Sequence, residues 1–422
     1  MKTVNENKVA IVNLGTELTQ GFTLNTNAYQ MAGRLRDLGF EVAYEITLPD
    51  DASFWKETWE MILRANVHTV ILGGGLGPTE DDKTRHLVAD TLGEPLEFRA
   101  EWIPQIRAFV ERRGLKYSET NDIQAFFPRT SEVLDNPVGS APGFRLTKNS
   151  VTLFAVPGVP SEAMTMFERH IEPFLKAKNV APTFFRELRI SGIFESDMAK
   201  RFGRVRFPKG VSWSSLPEKD GIVFRTYTKE SPEILKFLEK ELLCALDEPQ
   251  SVISTDGKNL TETVAELLVR RGETLSTAES CTGGMIASEI VNLPGASRFF
   301  AGGACTYRNE AKRDILGVPQ ATLDAYTAVS RETALAMAEG AKRIYRSDWA
   351  VSTTGIAGPD GGTPEKPVGM VWIGVATPEK TFAFCENFSG NRVQIREKSV
   401  FKALDLLRRA ILEHKNTCTK VQ

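Results

Sequence analysis

The chain has 422 residues, 41% hydrophobic and 25% charged, with 52 lysines and arginines against 54 aspartates and glutamates. At roughly 150 residues per domain, this length predicts two to three domains with apolar material for several cores, which excludes whole-chain disorder and fibrous repeats. A net charge of −2 argues against binding nucleic acid through overall charge and leaves only a local basic patch as a route to it.

Met1-Lys2-Thr3-Val4-Asn5-Glu6 has no apolar h-region behind its lysine, so it does not read as a secretory signal. No stretch approaches the ~18 uninterrupted apolar residues of a membrane helix. Cys244, Cys281, Cys305, Cys385 and Cys418 are far apart, odd in number and form no CxxC pair, which predicts reduced thiols in a cytoplasm. The four histidines (His68, His86, His170 and His414) form neither HxxxH nor a Cys/His cluster, so neither a structural zinc site nor a histidine triad is expected.

The first segment opens on the apolar run Lys8–Leu14, ending at Gly15. A helix is expected around Asn27–Leu35, a strand at Glu41–Ile46, a helix near Phe54–Arg64 and a strand at Val67–Leu72. Val151–Val156 reads as a late strand and Ser161 to about Ala177 as the closing helix. Strands alternating with helices predict a parallel, doubly wound sheet over residues 1–178. Within it, Gly73-Gly74-Gly75-Leu76-Gly77-Pro78-Thr79-Glu80-Asp81-Asp82-Lys83-Thr84 joins a strand end to a helix start. Glycines let backbone N–H groups approach an anion, and the carboxyl edge of such a sheet is where ligands bind. Asp81 and Asp82 are hard oxygen ligands of the kind Mg²⁺ uses beside a phosphate. The same residues also fit a glycine-rich turn with an aspartate capping the helix. Gly15-Thr16-Glu17 and Asn136-Pro137-Val138-Gly139-Ser140-Ala141-Pro142-Gly143 could join this site or be turn chemistry.

Residues 179–255 read differently: strand (Phe185–Ser191), helix (Glu195–Phe202), two strands around Lys219-Asp220-Gly221, and helix (Pro232–Asp247). This small α+β module carries Arg186, Arg189, Lys200, Arg201, Arg204, Arg206 and Lys209. A solvated face explains them better than a nucleic-acid surface, because no GxxG loop is present.

After the polar joint Thr255–Asn259, residues 256–422 again alternate, with a helix at Leu260–Arg271, a strand at Thr274–Ala278 and a last helix from about Val393 to Glu413. Ala278-Glu279-Ser280-Cys281-Thr282-Gly283-Gly284 is a strand-to-helix turn. Ser280 fits a nucleophile whose oxyanion is held by N–H groups of that turn, and fits equally a helix cap. No histidine lies between His170 and His414, so lysine is the natural base, and Lys312 is a candidate. Cys281 is a competing nucleophile. Thr354-Gly355-Ile356-Ala357-Gly358-Pro359-Asp360-Gly361-Gly362, followed by Lys366-Pro367-Val368-Gly369, could wrap a nucleotide phosphate or be a long surface loop.

Taken together, these blocks resemble the CinA (competence/damage-inducible) family over nearly the whole chain. Gly74–Thr79 with Asp81-Asp82, Asn136–Gly143 and Pro157-Gly158-Val159-Pro160 are similar to its MoaB-like, molybdopterin-binding domain. The Ser280 turn, Tyr307–Lys312, Ala328-Val329-Ser330, Thr354–Gly362, Lys366–Gly369 and Phe388–Arg392 resemble its nicotinamide-nucleotide amidase domain, and residues 179–255 sit where the family has a KH-like spacer. The resemblance implies hydrolysis of nicotinamide mononucleotide to nicotinate mononucleotide and ammonia, without a cofactor. Ser280 would be nucleophile and Lys312 general base and acid, with Tyr307 beside them. Substrate contacts would fall on Thr282, Gly283, Gly284, Asn309, Thr354, Gly355, Gly358 and Arg392. It implies also a metal-dependent (Mg²⁺ or similar) cleavage of ADP-ribose in the N-terminal domain, with Glu17, Gly74, Gly75, Gly77, Thr79 and Gly139 at the phosphates and Asp81 and Asp82 on the metal. A homodimer is implied as well. The rival reading is a non-catalytic pterin- or nucleotide-binding scaffold linked to competence or DNA damage.

Overall fold

The computed structural model describes residues 7–418, with side chains described up to residue 414. Met1–Glu6 and the Cys418 side chain, on which two of the expectations above fall, lie outside the described residues. The chain divides into two units, Met1–Thr183 and Phe184–Gln422.

In the first unit the strands are β1 (Lys8–Leu14), β2 (Glu41–Leu48), β3 (Thr69–Gly73), β4 (Leu96–Phe98), β5 (Phe126–Pro128), β6 (Glu132–Leu134), β7 (Gly143–Lys148) and β8 (Val151–Val156). Six of them form one sheet in the order β2-β1-β3-β8-β7-β6, while β4 and β5 pair separately. Pairing is parallel from β2 through β8. Alternation along β1 shows the double winding. Ala10, Val12 and Leu14 enter one core with Trp55, Trp59, Ile62 and Val88, whereas Val9 and Ile11 enter the opposite one with Met31, Leu35 and Phe167.

The wholly parallel sheet expected from the sequence is corrected at one edge, where β7 and β6 are antiparallel. Asn149 and Ser150, both at positive φ (53° and 64°), make the two-residue turn between β7 and β8. Both central residues left-handed is the type I′ geometry that matches strand twist and enforces a hairpin.

The second unit contains β9 (Phe184–Ile190), β10 (Val211–Glu218), β11 (Gly221–Thr228), β12 (Val252–Ser254), β13 (Leu275–Glu279), β14 (Phe300–Cys305), β15 (Trp349–Gly355), β16 (Met370–Ala376) and β17 (Thr381–Asn387). The α+β module is an antiparallel sheet, β10-β11-β9-β12, covered by helices Glu195–Phe202 and Pro232–Leu246. Of the seven cations named above, three face acids: Arg186 meets Glu239, Arg189 meets Glu187, Glu218 and Asp220, and Arg201 meets Glu248. The larger sheet runs β14-β13-β15-β16-β17. Here also strict alternation is corrected: β14, β13 and β15 are parallel, but β16 and β17 are antiparallel. Helices Leu260–Arg271 and Arg392–Cys418 cover one face. Helix Arg331–Tyr345 covers the other through Met337 and through Ala334, Ala338 and Ala341, small residues that bring its backbone close to the sheet.

The module is fastened to the last helix by a buried ionic knot. Asp405 accepts from Ser191 Oγ (2.9 Å), from Arg408 Nη2 (2.7 Å) and from Arg409 Nε (2.8 Å). Arg408, 0% exposed, also donates from Nη1 to Val252 O and from Nη2 to Gln250 O. Among the described residues no helix is long and apolar enough to cross a membrane, and Cys244, Cys281, Cys305 and Cys385 are free thiols.

Removing one partner of a buried ion pair leaves the other charge uncompensated. Asp405→Ala should therefore destabilise the second unit by about 3–5 kcal/mol in denaturant unfolding. Asp405→Leu with Arg408→Met, which removes both charges, should recover most of that loss.

Candidate functional sites

In the second unit, β13 delivers Ser280 to the carboxyl edge of the sheet. The Ser280 N–H continues the strand by donating to Thr353 O at 2.9 Å. The chain then reverses through Gly283 and Gly284, both left-handed (φ 62° and 93°), into helix Met285–Val291. Lys312 comes from helix Asn309–Leu316, which follows parallel neighbour β14. Adjacent parallel strands thus bring two residues 32 apart in sequence to a single point. Lys312 Nζ lies 3.1 Å from Ser280 Oγ, 2.9 Å from Thr306 O and 3.1 Å from Tyr307 O. Ser280 is 8% exposed and Lys312 1%. Burial pulls the lysine below its ordinary pKa, because desolvation penalises the ammonium form.

Cys281, next to the serine in the turn, is buried. Burial pushes its thiol up to about 11, so it stays protonated near neutral pH. Its sulfur faces the N–H groups of Cys281 and Thr282 and the Thr353 hydroxyl.

The expectation that Thr282, Gly283 and Gly284 together supply oxyanion donors is corrected. The Gly283 N–H closes the turn onto Ser280 O (3.1 Å), and the Gly284 N–H donates to Glu279 Oε2 (2.9 Å). Glu279, 1% exposed, also accepts from the N–H groups of Ile286 (3.1 Å) and Ala287 (2.9 Å). It caps the helix that Gly284 cannot cap with a side chain. The N–H groups of Cys281 and Thr282 remain, facing only a thiol sulfur, which is a weak acceptor.

Other expected residues take up bracing roles. The Tyr307 hydroxyl accepts from Arg392 Nη2 at 3.0 Å, while Arg392 Nη1 donates to Gly358 O at 2.7 Å. Arg392 therefore ties the Tyr307 turn to the Gly358 loop. Thr354, 1% exposed, spends its hydroxyl on Ala328 O at 2.6 Å and has no free hydroxyl to offer a substrate. A Cβ on Gly355 would meet Met370 O at 2.6 Å, so that glycine serves close strand approach. Asn309 is exposed at the start of its helix. Sequence reasoning missed Arg396, whose Nε and Nη2 hold the carbonyls of Cys281 (3.0 Å) and Thr282 (2.8 Å). It missed Glu279 too, although a carboxylate ending an apolar strand before a glycine turn is a signal for a helix cap.

In the first unit, the glycine turn after β3 lines a cleft of about 790 Å³. A Cβ on Gly74 (φ 100°) would lie 2.2 Å from Leu14 O, so only glycine allows β1 to pass. Gly75, Gly77, Glu17, Asp81 and Asp82 line the cleft as expected. Three phosphate assignments are corrected. The Gly74 N–H is spent on Val156 O (3.0 Å), and the Thr79 N–H on Asp82 Oδ2 (2.9 Å), which also takes the Thr79 hydroxyl. Gly139 makes room for Glu162: a Cβ there would lie 1.9 Å from Glu162 Oε2. Glu162 does line the cleft and accepts from Asn136 Nδ2 at 2.7 Å, with burial holding its carboxyl above the usual range.

A metal held by protein ligands alone does not fit these residues. Asp82 gives an oxygen to the Thr79 turn, and among the described residues no group of three or more His, Cys, Asp or Glu converges as metal ligands. What the cleft does hold is unmet polarity. Asn13 Nδ2, Asn27 Oδ1 and Gln124 Oε1 are buried without partners, on side chains that line it. None sits in a motif, so the sequence hid them; a polar Asn13 ending an otherwise apolar strand was the available signal.

These are two α/β units, one with a polar cleft at its glycine turn, the other with a serine–lysine pair. Residues 10–177 match the family model described as "Probable molybdopterin binding domain", and residues 257–411 match "CinA C-terminal domain". A competence-damage inducible protein of Caldanaerobacter subterraneus subsp. tengcongensis is 41% identical over 94% of this chain and 97% of its own. One from Caldicellulosiruptor saccharolyticus is 38% identical over 96% and 99%. The crystal structure of the competence/damage inducible protein CihA from Agrobacterium tumefaciens is 41% identical, covering 36% of this chain and 94% of that one with a TM-score of 0.34. The chain belongs to the CinA, competence-damage inducible, family.

Glu279→Ala would strand three helix-start N–H groups. The second unit should lose about 1–3 kcal/mol by urea denaturation, and Glu279→Gln, which keeps one acceptor oxygen, should lose less.

Proposed function

We propose that the second unit hydrolyses nicotinamide mononucleotide to nicotinate mononucleotide and ammonia. The observation that carries this reading is the environment of Lys312 Nζ. A neutral amine has two hydrogens and one lone pair. The carbonyls of Thr306 and Tyr307 accept the hydrogens, which leaves the lone pair for the proton of Ser280 Oγ, 3.1 Å away. Ser280 Oγ attacks the carboxamide carbon as its proton passes to Nζ. The protonated Lys312 then gives that proton to the departing nitrogen, which leaves as ammonia. Water, deprotonated by the same amine, cleaves the ester to nicotinate mononucleotide. Arg392, exposed and braced by Tyr307 and Gly358, is the cation offered to the substrate phosphate. Every step uses the chain's own groups.

For the first unit, the reading is a site for a nucleotide pyrophosphate, with ADP-ribose cleaved to AMP and ribose 5-phosphate. Its support is the glycine turn and the unpartnered donor Asn13 Nδ2, which suits a phosphate oxygen, while the unpartnered acceptors Asn27 Oδ1 and Gln124 Oε1 suit hydroxyl or amino groups of a nucleotide. Purified protein should release AMP from ADP-ribose with Mg²⁺ brought in by the pyrophosphate, and Asp82→Asn, which weakens the Thr79 turn, should lower this while ammonia release from nicotinamide mononucleotide continues. Wild-type protein that releases no AMP would leave the cleft a binding site only.

Ammonia release tests the amidase. Ser280→Ala and Lys312→Ala should each lower kcat by roughly 10³-fold or more, and the double variant little further, because the pair acts as a unit. Cys281→Ala should keep most activity. Turnover near wild type in Ser280→Ala, or loss in Cys281→Ala, would sink the assignment.

The pH dependence has a definite sign. The base works neutral, and burial lowers its pKa. The rate should therefore rise with pH through a single ionisation below the ordinary lysine value and plateau above it. Stability should rise with pH between that midpoint and the ordinary lysine value, where the unfolded chain binds the extra proton.

A further inference from the structure

Arg392 and Arg396 stand one turn apart on the last helix. Arg392 braces Tyr307 and Gly358, whereas Arg396 reaches the nucleophile turn itself. Nε and Nη2 of Arg396 form a fork, one prong on the carbonyl of Cys281 and the other on that of Thr282. A Cβ on Gly283 would lie 3.3 Å from Nη2, so the guanidinium packs directly against the turn.

Each carbonyl belongs to a rigid trans peptide whose N–H points the opposite way. The Cys281 carbonyl shares its peptide with the Thr282 N–H, and the Thr282 carbonyl shares its own with the Gly283 N–H. On the far side of the turn, Glu279 takes the N–H groups of Gly284, Ile286 and Ala287. The turn is thus fixed from both ends: a cation on its carbonyls and a carboxylate on its later N–H groups. Between them, the Thr282 N–H has only the Cys281 sulfur before it. A cation on the oxygen end of a peptide draws electron density from its N–H and strengthens it as a donor.

We propose that Arg396 is the positioning residue for oxyanion stabilisation: by holding the carbonyls of Cys281 and Thr282, it aims and polarises the Thr282 N–H toward the oxygen that develops when Ser280 attacks. This rests on Ser280 being the nucleophile of the proposed amidase. Arg396 touches no substrate and acts through the peptides it grips. Lysine at this position would keep the charge but lose the fork.

Two readouts separate this role from the substrate assignment. One is the kcat and KM of ammonia release from nicotinamide mononucleotide. The other is the rate at which Ser280 reacts with a small alkyl fluorophosphonate. In that reaction the Oγ–P bond forms, fluoride leaves, Lys312 takes the proton, and charge develops on a phosphoryl oxygen in place of the carbonyl oxygen. Arg396→Met should lower kcat and the phosphonylation rate together by about 10²-fold, with KM within about threefold of wild type. Arg396→Lys should recover part of this, ending roughly tenfold below wild type. The pH midpoint of the rate should not move in either variant, because Lys312 keeps its surroundings. Wild-type rates in Arg396→Met, a loss confined to KM, or a shifted pH midpoint would each overturn the proposal. If near-ultraviolet circular dichroism shows Arg396→Met unfolded, Arg396→Lys decides, and an undiminished phosphonylation rate there overturns it. Wild-type protein that phosphonylates at Ser280 but releases no ammonia refutes the amidase and leaves the positioning role to be judged on phosphonylation. A wild-type Ser280 that does neither refutes both.

Discussion

An amine buried to 1% exposure must have its hydrogens accepted, and that requirement organises the second unit around Lys312. The acceptors are two successive backbone carbonyls, Thr306 and Tyr307, immediately after β14. The chain must leave the sheet there, double back into helix Asn309–Leu316 and return the lysine to the residues just passed. β14 can hold that turn at the correct height only through its pairing with β13, where Glu279 lies opposite Cys305 and the Thr306 N–H donates to Glu279 O at 2.7 Å. Sheet register, turn and lysine burial are therefore one constraint. A slip of one residue in the β13–β14 pairing would separate Ser280 from its partner.

That constraint explains what could be read in the sequence. Ser280 was legible because two glycines follow it at the end of an apolar strand, and Lys312 because no histidine was available as a base. The double winding of the first unit's sheet, and the helix and strand order of the small module, followed from local periodicity. Arg396 was not legible, because it acts from a helix more than a hundred residues downstream and in sequence is one more cation on an amphipathic helix. The antiparallel β6–β7 edge was hidden because Gly143 and its neighbours look like a glycine-rich loop. The only signal was the Asn149-Ser150 turn, which can be recognised only once both residues are known to be left-handed. Thr79, Gly74 and Gly139, expected at the phosphates, are engaged within the chain: Thr79 with the Asp82 carboxylate, Gly74 with the Val156 carbonyl, and Gly139 in leaving room for Glu162. Only coordinates show where each N–H goes.

The two sites handle polarity in opposite ways. Around Ser280 the polar groups satisfy one another. Lys312 is held by two carbonyls and the Ser280 hydroxyl, Glu279 accepts three N–H groups, Arg396 grips two carbonyls, and the Thr282 and Thr353 hydroxyls share a bond at 2.7 Å. Such a network leaves few polar groups to reorient, the condition that electrostatic catalysis of the kind proposed for Ser280 requires.

The first unit's cleft lacks that closure. Asn13, Asn27 and Gln124 each present a buried atom without a partner, and each such atom costs about 1–3 kcal/mol if left unmet. They sit on separate elements, at the end of β1, on helix Thr26–Asp37 and in the turn before β5. Polarity closed within the chain at one site and left open at the other follows from which buried atoms already have partners.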